Sequence, residues 1–156
     1  MDVLLRVRLP LLLLRIGVFL VMFMWTLDKF VRPDHAAGVF KKFYQLDLGG
    51  PVTFYVLGAI ELAVLLLFVT GLAKRYSYGA VLLLHAVSTF SSYRQYLGFD
   101  NLLFFAAWPM LAACIALYLL RDLDTLLAFP GARLPVALAR LNEAVPGVND
   151  EYTNRG

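Results

Sequence analysis

Two residues stand where an apolar environment makes them costly, and both belong to types that carry protons. Glu61 lies ten residues into a long apolar stretch, about 15 Å along a helix of 1.5 Å rise, and His85 lies nine residues into the next, roughly 14 Å in. Charged groups at such depth cost several kcal/mol, so each needs a partner, a polar cavity or a route to the surface. His85 opens a polar series with Ser88, Thr89, Ser92 and Tyr96 at i, i+3, i+4, i+7 and i+11, which is one face of a helix. Gly58 and Glu61 share a face in the preceding stretch, and Arg15, Met22, Thr26 and Lys29 share one in the first. The expected interior is polar, with Glu61 meeting His85, Arg15 or a protonatable ligand. The plainer readings are a carboxyl that fixes helix packing, a satisfied core histidine, and hydroxyls bonded one turn back along their own helix.

Arg15, six residues into its stretch, is expected to snorkel to the nearer interface from about 9 Å. Arg94 extends the polar face outward beyond Ser92. With Asp28, Lys29, Asp100 and Asn101 it forms a rim that could converge over the mouth of a bundle. The candidate ligand-binding or proton-relay residues are therefore Arg15, Lys29, Glu61, His85, Ser88 and Arg94. None completes a catalytic set, and no metal site is expected, because no second His, Cys or carboxylate stands at ligand spacing from His85. The single cysteine, Cys114, excludes an internal disulfide and a CxxC centre and reads as a small apolar filler. Phosphate loops, HExxH and GxSxG motifs are missing from the sequence.

The elements that position these residues follow from composition. Of 156 residues 61% are hydrophobic and only 16% charged, with a mean hydropathy of +0.73, which no ordinary soluble domain matches. Four apolar stretches, about 9–27, 51–73, 76–97 and 101–120, are each long enough to span a bilayer. The expected fold is all-α, an integral membrane four-helix bundle over residues 1–128, with a tail over 129–156. A cleaved signal peptide is the competing reading of the first stretch, but Arg15 interrupts its apolar core and no small-x-small site follows. In the loop between the first two spans, Pro33-Asp34 begins a short interfacial helix with Val39, Phe40, Phe43 and Tyr44 on one side and Lys41 and Lys42 elsewhere. Trp108-Pro109 predicts a kink in the fourth span. Leu134, Leu138 and Leu141 share one side of the tail, and the residues from Val145 onward read as disordered.

Basic residues set the topology. Eight Lys and Arg fall on the N-terminal side of the spans and five on the other, which places both termini in the cytoplasm. The net charge of +3 and pI of about 9.1 thus reflect topology and imply no nucleic acid partner.

The run Arg15-Ile16-Gly17-Val18-Phe19, the helix end Trp25-Thr26-Leu27-Asp28-Lys29-Phe30, and Gly58-Ala59-Ile60-Glu61 leading to Thr70-Gly71 resemble the DoxX-like family of small bacterial membrane proteins. The likeness covers roughly the first 120 residues, through Arg121-Asp122. It implies four spans in the bacterial inner membrane and marks Arg15, Lys29 and Glu61 as the positions carried over. It further implies an accessory role beside a membrane oxidoreductase such as thiosulfate:quinone oxidoreductase. Single Cys114 departs from the disulfide chemistry of related four-helix proteins, so thiol exchange by this chain alone is not expected. The expectation is a non-catalytic subunit offering a quinone- or lipid-sized pocket lined by Glu61, His85 and Ser88, with an oxidoreductase partner or further copies of itself. The alternative is a small proton-coupled transporter or exporter acting as an oligomer.

Overall fold

A computed structural model describes residues 3–129, and among these every regular element is helical. The side chains of residues 3, 4, 99 and 100 are outside the description, and so are the expected tail helix and disordered end. Helix α1 (Val3–Val31) is followed by a short α2 (Pro33–Val39), then α3 (Pro51–Val69), α4 (Lys74–Ser91), a single turn α5 (Tyr93–Tyr96) and α6 (Ala107–Leu119). Three stretches, Leu5–Val31, Pro51–Val69 and Asn101–Leu119, are long and apolar enough to cross a membrane.

The four long helices pack in a closed order: α1 on α3, α3 on α4, α4 on α6, and α6 back on α1. The inward stripe of α1 is Leu11, Arg15, Val18, Met22 and Thr26, all buried at three- and four-residue spacing. Leu65 and Phe68 of α3, Tyr78 and Val81 of α4, and Cys114 and Leu117 of α6 complete one contiguous core. The outward faces carry Leu13, Leu20, Met24, Val56, Ile60 and Leu119, all exposed. Large apolar side chains thus cover the outside, which suits lipid and not water.

Helix α4 is shorter than the expected third span. It stops at Ser91 because the Ser91 and Ser92 hydroxyls both bond to the Ser88 carbonyl, at 2.9 and 3.0 Å, and Ser92 leaves the helical conformation at φ −83°, ψ 14°. Its polar face is also why it is missing from the three strongly apolar stretches. The fourth stretch begins as a 3₁₀ segment, Phe99–Ala106, and becomes α-helical at Ala107. Pro109 therefore falls in the first turn of α6, where no intrahelical N–H is needed, and it starts the helix instead of kinking its middle.

The expected loop helix begins at Pro33 as read, and continues through a π-helical stretch, Phe40–Tyr44, with Lys41 and Lys42 exposed. Its aromatics rest on neighbouring helices: Phe40 lies edge-on to Phe54 at 5.4 Å, and Phe43 meets Phe104 at 5.8 Å. At the opposite end, α3 closes with Gly71 at φ +68°, whose N–H bonds to Phe68 O while Leu72 N–H reaches back to Leu67 O. This paired cap requires the left-handed conformation that glycine supplies.

Candidate functional site

Polar side chains gather in three places at different levels of the helices. The first is a pair. Gly58 lets α1 approach α3 so closely that a Cβ there would come within 2.9 Å of the Phe30 ring and 3.3 Å of Lys29. One turn along, Lys29 Nζ lies 2.6 Å from Glu61 Oε2, and the two side chains keep 12% and 14% of their surface exposed. Lys29 also donates to the Trp25 carbonyl at 3.3 Å, whereas Glu61 Oε2 accepts no well-directed hydrogen bond. The contact is an ion pair with spare hydrogen-bonding capacity on the carboxylate. Glu61 therefore meets neither His85 nor Arg15; the shared face of Gly58 and Glu61 is observed, and its partner is the end of α1.

The second place surrounds Arg15, which does not snorkel. It is 1% exposed and turned inward, because a counter-ion is available there. Arg15 Nη1 lies 3.3 Å from Asp124 Oδ2 and donates to the Tyr78 hydroxyl oxygen at 3.3 Å, while Nη2 donates to the Leu126 carbonyl at 2.5 Å. Tyr78 in turn donates to Asp124 Oδ2 at 2.6 Å. Asp124 is fully buried, and sequence reasoning missed it. It follows the fourth apolar stretch in an irregular segment with no periodicity to mark it; the one legible signal was an unpaired intramembrane arginine that had to find an acid.

The third place is the polar face of α4. His85, Thr89 and Ser92 are buried and Ser88 is half-buried, so the predicted stripe does look inward. His85 Nε2 donates to the Ala107 carbonyl at 3.1 Å, tying α4 to the start of α6. Thr89 bonds to His85 O at 2.8 Å, and the Tyr96 hydroxyl donates to Thr89 O at 2.9 Å. These contacts match the plainer reading, in which hydroxyls and imidazole satisfy local backbone. Of the expected rim, Asp28 binds Arg32 and His35, Lys29 turns to Glu61, and exposed Arg94 stacks on neighbouring Tyr93, while the side chain of Asp100 lies outside the described residues.

Asp28 has a separate structural job. Its Oδ1 accepts from Arg32 Nε at 2.8 Å and its Oδ2 from His35 Nδ1 at 2.6 Å, which pins α2 across the break at Arg32. A carboxylate only accepts, so Nδ1 of His35 carries the hydrogen. Among the described residues no group of three or more His, Cys, Asp or Glu could hold a metal ion.

Helices apolar on the outside, with paired charges held between them, define a membrane protein. The DoxX family model matches residues 10–94, and the chain belongs to that family. The matched segment contains Arg15, Lys29, Glu61, Tyr78 and His85, stops short of the 120 residues the motifs suggested, and leaves Asp124 outside. No curated protein and no solved structure matches the chain.

Proposed function

We propose that the chain is a four-span subunit of a bacterial inner membrane, with both termini in the cytoplasm, which serves a quinone-linked oxidoreductase assembly without turning over substrate by itself. The fourth span in this reading is α4. Its 18 residues turn His85 and Thr89 inward and expose Leu83, Leu84, Val87 and Phe90 outward, the inverse of a soluble amphipathic helix.

The observation that carries the reading is the Lys29–Glu61 pair: 2.6 Å apart, between two apolar helices, with 12% and 14% of the two side chains exposed, and with Glu61 Oε2 itself buried against the ammonium. The Lys29 ammonium there can donate to a quinone carbonyl and pass it one proton as the quinone is reduced to quinol. The Glu61 carboxylate can take protons from water and return them to Lys29, and the second proton of the quinol comes from solvent. The two electrons come from the partner enzyme. His85 and Ser88, which were expected to line the same pocket, lie on α4, His85 bonded to the start of α6 and Ser88 accepting the Ser91 and Ser92 hydroxyls at its carbonyl, and they take no part in this reading.

The test is native purification followed by quinone reductase assay of whatever co-purifies. An oxidoreductase partner whose quinone-dependent rate falls when Glu61→Gln is introduced supports the reading; a lone chain, or a rate indifferent to Glu61, defeats it. A second reading, a proton-coupled carrier, is favoured by one observation. Arg15 and Lys29 hold acids at two levels of α1, fourteen residues or about 21 Å apart, as stations on a path would be. Proteoliposomes decide it: flux that depends on Glu61 across a pH series supports a carrier, and absence of such flux removes it.

A further inference from the structure

The segment 120–129 returns beneath the helices and is fastened there mainly by polar contacts. Donors on the helices meet acceptors on the segment. Arg15 takes the Asp124 carboxylate and the Leu126 carbonyl, Tyr78 takes the same carboxylate, and Lys74 donates to the carbonyls of Arg121, at 3.1 Å, and Asp124. One further bond, Phe129 N–H to Thr70 O at 3.0 Å, and the contact of Ala128 with Gly71 complete the fastening.

Its apolar hold on the helices comes from partly buried Leu123, which packs against the common core. Leu127 is 81% exposed and sits at φ +49°, a conformation strained for leucine, and Phe129 is exposed as well. Within the fastening itself, Arg15 Nε and Asp124 Oδ1 are buried and have no hydrogen-bond partner among the described residues. Among the described residues, closure therefore rests on one carboxylate, a few carbonyls and Leu123. Tyr78, which holds Asp124, belongs to the same core cluster as Val81, Leu117 and Cys114, and Leu123 of the segment packs against that cluster.

We propose that residues 120–129 are a strap that opens and closes the end of the assembly at the α3–α4 turn, with Arg15, Tyr78 and Asp124 as its latch. Segments held by few buried apolar contacts open locally at a fraction of the global stability, and a strap released at the latch leaves the core beneath it open to water. The proposal stands apart from the quinone reading, since it concerns Arg15 near the middle of α1, fourteen residues from Lys29, and needs no ligand.

Cys114 is the only cysteine of the chain and is buried, so it reports opening directly. The experiment measures the rate at which a water-borne, sulfonate-bearing methanethiosulfonate reagent modifies Cys114 in the full chain in detergent. Helical circular dichroism verifies that each variant is folded. Asp124→Asn should speed modification about tenfold, and Lys74→Gln, which removes only the half-exposed fastening, by a smaller factor. Glu61→Gln should leave the rate at the wild-type value. If Asp124→Asn does not fold, Lys74→Gln decides alone. Wild-type rates in the folded latch variants, or an equal rise in Glu61→Gln, overturn the strap.

Discussion

Two ion pairs hang on the same helix, and they are built differently. Arg15 and Asp124 are 1% and 0% exposed, share Tyr78 between them, and bind an irregular segment to the helices. Lys29 and Glu61 join two regular helices through a single contact and stay partly open. A charge sealed among several partners holds its segment closed and parts only when that segment opens to water, because exchanging it for a ligand would leave a bare buried ion behind. A charge pair with one contact and accessible surface can be parted by a polar group that replaces it. The first pair belongs to architecture and the second to chemistry.

The largest expected effect tests the architectural side. Arg15→Ala or Asp124→Ala strands a buried charge and should cost about 3–5 kcal/mol, measured as loss of stability in detergent denaturation. A cost near zero would erase the contrast between the pairs. Next comes Gly71→Ala, which forces a side chain into φ +68° and drives its Cβ to 2.8 Å from Ala128 and 2.9 Å from Arg15. About 1–3 kcal/mol of destabilisation should appear in the same measurement. His85→Leu removes the bond to Ala107 and leaves that carbonyl to the helix alone, for about 1 kcal/mol, with quinone-dependent activity of the assembly retained. Glu61→Gln keeps volume and leaves Lys29 the Trp25 carbonyl in place of its counter-ion, so its cost should fall well below that of Asp124→Ala in the same measurement. That substitution should nevertheless lower partner activity, and this dissociation of stability from activity is what separates the two pairs.

Much of this contrast was legible in the residues. Periodicity placed Arg15, Met22, Thr26 and Lys29 on one face of α1, put Gly58 beside Glu61, and turned the His85 stripe inward, because helical spacing is a local property. The partners were not legible. Glu61 pairs with Lys29 through an approach that Gly58 allows, and Arg15 finds Asp124 across 109 positions of chain. Such pairings depend on the tilt and relative height of helices, which a single apolar stretch does not encode. The ends of α4 and α6 also escaped hydropathy, since serine hydroxyls at Ser91 and Ser92 and a first-turn Pro109 act on backbone geometry and leave the apolar count unchanged.

The most direct measurement uses Trp25, whose carbonyl accepts from Lys29 one turn away. In a Trp108→Phe background it is the only tryptophan, and quinones quench indole fluorescence on contact. Titration with a short-chain ubiquinone should give saturable quenching that weakens about tenfold in Lys29→Met and Glu61→Gln, consistent with loss of about 1.4 kcal/mol from the complex, and remains saturable in folded Lys74→Gln. Quenching that rises linearly without saturation, equal in every variant, would contradict a quinone site at the Lys29–Glu61 pair.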